Sequence, residues 1–350
     1  VLIAGDDADA KAALRDAITA GGLDAFDAGP PRPRPRARGH RLPPDGPRRL
    51  RADQLDRRPR GHQVTIAVTG ATGNLGRLIV GHLLARGVTA DDVVAIGRNA
   101  ERLSALFADS GVRTAVADYA DPAALASAFD GVETLVLVSG SEVGQRVPQH
   151  TNAIRAAEQA GVQHIVYTSA PRADTSTLFV APEHKATEDL LAASPVTATV
   201  LRNNWYNENY EQAFAQIAAT GQWLASSGTG RIASAARSDY AEAAAVVAAT
   251  GAHRGETLEL AGDTAWDGAE FAATAGRVLG RDVAYADVSS QEHQQVLVSA
   301  GLDEGTIGFL VGLDVAVADG ALDGPSPVLS TLIGHPTVTL EETFRRLHTA

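Results

Sequence analysis

The sequence predicts an α/β protein: a doubly wound parallel sheet covered by helices on both faces, with a small lid in its C-terminal part. Three observations predict it. From Val64 onward, short apolar runs alternate with helical patterns of about ten to fifteen residues, as in successive βαβ units. The first of those runs ends in a glycine-rich turn, Gly70 to Gly76, that opens the first helix. A chain of 350 residues, 45% hydrophobic and 21% charged, has the balance of an ordinary globular protein and ample surface to bury.

The elements follow in order. Residues 1–28 read as a short β-α-β-like unit: VLIAG as a strand, a helix ending in glycines, and LDAFDAG as a second strand. Such a unit is too small to fold alone. Residues 29–62 carry eleven Arg, eight Pro and three Asp, a local charge of +8. With no hydrophobic period and no aromatic residue, this stretch reads as a disordered linker rather than a polyanion-binding arm. The Arg/Pro run looks like a GC-rich frame translated out of register, so residues 1–62 are expected to be a fusion remnant or gene-boundary artefact. The chain opens on Val1 and contains no methionine, so either an initiator was removed or it is not a complete translation product. The working domain is expected over 63–350.

Within it, strands are predicted at Val64–Thr69, Val93–Gly97, Val112–Ala117, Thr134–Val138 and His164–Thr168, with a sixth ending near Leu201. Helices are predicted at Leu75–Arg86, with Leu78, Ile79, His82 and Leu83 on one side, at Arg102–Ala108, and at Pro148–Ala160. Another runs to Phe129, with Asp121 as N-cap and Pro122 in its first turn. After Leu201 the alternation loosens. A helix over Ala241–Ala249, a strand over Thr257–Leu260 and a helix over Asp267–Val278 remain legible, and Thr339 to Glu342 is a capping-box signature opening a last helix. The part from about 201 to 350 is expected to bind substrate.

Composition narrows the function. The net charge of −12, or −20 outside residues 29–62, disfavours nucleic acid. No apolar run approaches a membrane span, and no secretory signal pattern opens the chain. The absence of cysteine excludes a thiolate metal site and a cysteine nucleophile, and fits the reducing cytoplasm. His150, His164 and His184 show no metal-ligand spacing, so no metal is expected.

The chemistry concentrates at Gly70-Ala-Thr-Gly73-Asn-Leu-Gly76. Glycines so placed between a strand and a helix let the backbone approach a pyrophosphate at the helix N-terminus. Thr72, Asn74 and Leu75 belong to the same turn. Strand two ends Ile-Gly-Arg, with Arg98 arriving about twenty residues past Gly76 and no carboxylate before Glu101. An Arg there suits the 2′-phosphate of NADPH, so NADPH is the expected cofactor. Ser139, Gly140 and Ser141 follow strand four, where ribose and nicotinamide pass in such folds. Thr168 and Ser169 end strand five, either as cofactor contacts or as structure. Asp118 and Tyr119 end strand three, either near the adenine or in a solvated loop.

The spacing GxxGxxG, with the TGATGNLG context, resembles the atypical NmrA-like branch of the Rossmann-like short-chain dehydrogenase/reductases. The blocks SGSEVGQRVPQH (139–150), IVYTSAPRADTS (165–176), LRNNWYNENY (201–210), LELAGD (258–263) and LIGHPTVTLEE (332–342) together resemble the type 2 NAD(P)H:quinone oxidoreductases. Residues 1–28 carry a short resemblance to the C-terminal part of deazaflavin-cofactor NADPH reductases. The quinone reductase resemblance implies hydride transfer from NADPH to a quinone without flavin.

One departure bears on mechanism. The position four before Lys185 is Ala181, where carbonyl-reducing relatives place a proton-donating Tyr. A ketone becomes a strongly basic alkoxide and needs a positioned acid. A quinone becomes a phenolate, whose conjugate acid has a pKa of about 10. Lys185 is carried as the catalytic candidate, with a surface pair to Glu188 as its alternative. Glu142, Gln145 and Arg146 either shape the substrate mouth or cap a helix. Asn203, Trp205, Tyr206 and Tyr210 either stack on a quinone or pack the lid. Two other readings stand beside quinone reduction: an NmrA-like NADP(H)-binding sensor without turnover, and an isoflavone-reductase-like enzyme. Subunit number stays open, a homodimer among the alternatives.

Overall fold

The computed structural model describes residues 64–349 and the backbone of two short strands, Leu2–Ile3 and Phe26–Asp27. The chain divides into two compact units, 1–60 and 61–350. In the first, Leu2–Ile3 pairs in parallel with Phe26–Asp27. The helix expected between these strands, and the Arg/Pro-rich linker expected at 29–62, lie outside the described residues.

The second unit is built on a seven-stranded sheet whose ladders are all parallel. Its strands are β1 (Ile66–Val68), β2 (Val93–Gly97), β3 (Arg113–Val116), β4 (Thr134–Leu137), β5 (His164–Ser169), β6 (Thr197–Asn203) and β8 (Thr257–Leu260), in the order β8-β6-β5-β4-β1-β2-β3. Every residue of β1, β2, β4 and β5 is buried, which is why these segments read as unbroken apolar runs.

Helices cover both faces. On one side α1 (Asn74–Ala85), α7 (Arg237–Thr250) and α11 (Val328–Ile333) bury Ile79, Leu83, Tyr240, Val247 and Leu329 against Val68 and Val136. On the other, α3 (Pro122–Ala128), α4 (Arg146–Gln159) and α5 (Ala181–Ala193) bury Leu125, Ile154 and Leu191 against Leu135 and Ile165. The buried stripe of α1 is Gly76, Ile79, Val80 and Leu83. The expected face is thus rotated: His82 is only half-buried and bonds Ser238 of α7 at 2.9 Å. Asp121 caps α3 as expected, accepting the N–H groups of Ala123 and Ala124 at 3.0 Å. The Thr339 box likewise opens α12 (Leu340–Thr349): Thr339 N–H donates to Glu342 at 2.8 Å, and Glu342 N–H to Thr339 Oγ1 at 3.2 Å.

The C-terminal part is more than a helical lid. Helix α7 and strand β8 complete the main sheet and its cover. A separate two-stranded parallel sheet joins β7 (Gln222–Ala225) to β9 (Ala284–Asp287). Two small cores lie among the remaining helices, α6 (Glu211–Thr220), α8 (Gly268–Leu279), α9 (Ser290–Ser299) and α10 (Glu304–Ala318). One packs Leu313, Ala316 and Val317 of α10 on Leu178 and Ala181, at the exit from β5. The other stacks Phe214 on Phe344 at 4.4 Å, with Phe271 edge-on to Phe344 at 5.2 Å. Among the described residues no helix is long and apolar enough to cross a membrane.

Candidate functional site

Chain order reverses between β1 and β4, which are neighbours in the sheet although β2 and β3 intervene in sequence. Ligands of open α/β sheets bind at such a reversal, beyond the carboxyl ends of the strands. A cleft of about 480 Å³ lies there, over the ends of β1 to β4. Gly70, Thr72, Gly73, Asn74, Leu75 and Gly76 line it from below, Arg98 from the β2 side, and Ser139, Gly140 and Ser141 from the β4 side.

The turn takes its shape from its glycines. Gly70 sits at φ +58°, in the left-handed region. Gly76 packs so closely that a Cβ there would lie 2.3 Å from the Gly70 carbonyl oxygen. Gly73 N–H closes the turn on that same oxygen at 2.8 Å, and Ala71 N–H ties it to Ile96 of β2 at 2.9 Å. Helix α1 therefore starts at the cleft, with Gly73 as its N-cap, no capping side chain and no acid in its first turn. The N–H groups of Asn74, Leu75 and Gly76 have no acceptor within the helix, and the positive end of its dipole faces the cleft.

Arg98 is exposed, and its Nη1 donates to Glu142 at 2.7 Å. Gln149 Nε2 donates to the second Glu142 oxygen at 3.0 Å. The bonds from Arg98 and from Gln149 hold the Glu142 carboxyl below its ordinary range. A second arginine, Arg102, also lines the cleft and donates to the Thr72 carbonyl at 3.2 Å. Sequence reasoning missed Arg102 and Gln149. Their signal was helical spacing: Asn99 caps α2 (Ala100–Phe107) and puts Arg102 in its first turn, beside Arg98.

The Ser139–Gly144 loop is held from beneath. Ser139 N–H donates to Thr168 Oγ1 at 3.0 Å and Gly140 N–H to His150 Nε2 at 3.1 Å. Arg146, buried at 4% exposure, donates from Nε to the Gly140 carbonyl at 3.0 Å and from Nη1 to Glu183 at 2.5 Å. Glu183 also accepts Gly144 N–H at 2.8 Å. Burial pushes His150 down to about 3, so it is neutral. The Gly140 donor makes Nε2 the acceptor, which leaves the ring proton on Nδ1, directed at Thr187 Oγ1 3.0 Å away. Thr187 in turn donates to the Glu183 carbonyl at 3.0 Å. Tyr119 lines the cleft floor, its hydroxyl 2.6 Å from both Thr69 Oγ1 and the Val138 carbonyl, and burial pushes its pKa up.

Several expected residues lie elsewhere. Thr168 supports the loop from behind without lining the cleft, and Ser169 donates to Glu188 at 2.6 Å. Gln145 precedes α4 as its N-cap, its N–H on the Glu142 carbonyl at 3.2 Å, while Gln149 takes the cleft position. Asn203 is buried, donating to Tyr206 Oη at 3.4 Å. Its Oδ1 has no partner among the described residues, and neither has Trp205 Nε1. Trp205 and Tyr210 pack on the α10 core. Tyr206 meets Tyr240 edge-on at 5.2 Å, beneath the Arg237 guanidinium. Lys185 pairs with Asp189 on α5 and lines a separate groove of about 390 Å³ between α5, β6 and β8. Glu188, its expected partner, binds Arg202 instead at 2.6 Å.

Comparison with known proteins agrees with this geometry. The profile of the NAD(P)H-binding family matches residues 70–250. Quinone oxidoreductase 2 of Escherichia coli K12 is 46% identical over 81% of this chain and 98% of its own length. The crystal structure of the NADPH-dependent quinone oxidoreductase from Escherichia coli, complexed with NADPH, superposes with a TM-score of 0.78 over 81% of this chain and 99% of that one. The triphenylmethane reductase of Citrobacter sp., complexed with NADP(H), does so at 0.77, with 35% identity over 81% of this chain and 99% of that one. With its glycine turn at a chain reversal and this similarity along nearly the whole length of its relatives, the chain belongs to the NmrA-like NAD(P)H-binding family, as a homologue of quinone oxidoreductase 2.

Proposed function

We propose that the protein reduces quinones by two electrons at the expense of NADPH, without flavin. The observation that carries the cofactor half is the pairing of an uncapped helix start with two arginines, Arg98 and Arg102, on one cleft. Gly76 has no side chain to push the Gly70 carbonyl away, so the turn packs tightly against the start of α1 and leaves the helix N–H groups open to a diphosphate; the residues fit the cofactor. The first-turn N–H groups of α1 receive the diphosphate, and Arg98 with Arg102 receives the 2′-phosphate. Bound NADPH supplies a hydride. The Ser139–Ser141 loop, braced by Arg146 and His150, would orient the nicotinamide end.

The quinone half rests on the homology to quinone oxidoreductase 2 and on the missing acid. Ala181 is buried at the N-terminus of α5, and Tyr167 is committed to His184 at 2.8 Å inside the fold. With no side-chain acid at the position that carbonyl reduction uses, an acceptor yielding a weakly basic phenolate suits the site best. Mixing the protein with NADPH and a benzoquinone or naphthoquinone tests this. Rapid loss of reduced-nicotinamide absorbance, faster than with NADH, is the expected result. Tight NADPH binding without turnover on any quinone would favour the sensor reading instead.

A further inference from the structure

The sheet order β4-β1-β2 places the glycine turn between the wall that carries Glu142 and the wall that carries Arg98. Their 2.7 Å ion pair therefore spans the cleft above the turn. The side chains are 67% and 45% exposed, so this is a surface pair, weak enough to exchange partners. Glu142 is nonetheless aimed: Gln149 fixes its second oxygen, and the loop around it is held at both Gly140 and Gly144. Asp118 also lines the cleft and acts on Arg98, but its Oδ1 is engaged by Ala120 N–H at 2.8 Å.

We propose that Glu142 is a specificity-determining residue for the cofactor: it holds Arg98 as an internal stand-in for the 2′-phosphate and so limits the preference for NADPH over NADH. This rests on the reading that Arg98 receives the 2′-phosphate. A guanidinium engaged by a carboxylate through Nη1 offers a phosphate fewer donors, and the carboxylate left beside it repels a dianion. NADH has no group to contest the pair. The same competition speeds release of NADP⁺ after each turnover, because Glu142 stands ready to recapture Arg98.

The test is cofactor affinity, measured by calorimetric titration of the full chain with NADPH and with NADH. Glu142→Gln keeps the bond to Gln149 and removes the charge. It is expected to tighten NADPH between about threefold and tenfold, with NADH unchanged within about twofold. In an Arg98→Ala background the same change is expected to tighten NADPH less than in the parent chain, because only the repulsion between carboxylate and phosphate is then relieved; an equal gain in both backgrounds overturns the role of the ion pair. NADPH affinity unchanged or weakened by Glu142→Gln, or both cofactors tightened equally, overturns the proposal. So does a rise in quinone KM with both cofactor affinities intact, which would place Glu142 on the substrate. Equal weakening of both cofactors by Arg98→Ala would instead overturn the assignment of Arg98, a separate failure.

Discussion

At the scale of single residues, a one-dimensional pattern identifies which side chains can act but not which partners they keep. Gly70, Gly76 and Arg98 were legible because their spacing along one βα unit fixes their placement, and all three line the cleft. Lys185 was not. Glu188 and Asp189 lie three and four residues along the same helix, and spacing alone does not choose between them. The choice is made by Arg202, from the neighbouring strand, which takes Glu188 and also meets Glu259 at 2.9 Å. Asp189 is left for Lys185, on a groove apart from the cleft. Lys185→Ala is therefore expected to reduce quinone turnover by less than about tenfold, whereas loss of a general acid costs about 10²–10⁴. Steady-state rates at saturating NADPH check this, and a hundredfold loss with cofactor affinity intact would return Lys185 to the reacting centre.

At the scale of elements, the six strands from β1 to β6 follow from their apolar runs, and Asp121 and Thr339 mark their helix starts through local chemistry alone. What escaped were α5, α6, α9, α10, α11 and the small β7–β9 sheet. Helix α10 carries Gly305, Gly308 and Gly312 among apolar residues and leaves Phe309 and Val315 exposed, so no helical stripe stands out. Strands β7 and β9 are four residues each and mostly accessible, too short for alternation to show. The Ser139–Gly144 loop is a further case: its shape depends on Arg146 and Glu183, which come from different helices. Arg146→Met removes the cation and leaves Glu183 largely buried. A loss toward the lower end of about 3–5 kcal/mol is expected in denaturant unfolding, since Glu183 keeps some contact with water. NADPH affinity should fall with it, because the cleft wall loses its tie to the Gly140 carbonyl. Unchanged affinity would show that the loop is held without Arg146.

At the scale of the whole molecule, buried histidines set the response to acid. Burial pushes His150 and His184 down to about 3 and His164 to about 4, from an ordinary 6.5. Their folded values are depressed, so each contributes stability that is full above pH 6.5 and is lost as pH falls toward those values. Asp239 opposes them. Burial raises it to about 6 from 3.8, so the native state takes up its proton first and regains some stability between pH 6 and 4. Three histidines outweigh one aspartate. The urea midpoint is expected to fall steadily between pH 7 and 4, and a midpoint independent of pH across that window would contradict the buried neutral state of these rings.

The phenylalanine stack of the C-terminal core joins segments distant in the chain: Phe214 and Phe271 wait for Phe344 on α12. During biosynthesis the strands from β1 to β6 leave the ribosome early and can pair in the order in which they emerge. The second core has no such opportunity. Phe344 is translated after both Phe214 and Phe271, so those two rings lack their partner until α12 emerges. A ribosome stalled before α12 would thus hold a cleft already lined by Gly76 and Arg98 beside an apolar surface that invites chaperones.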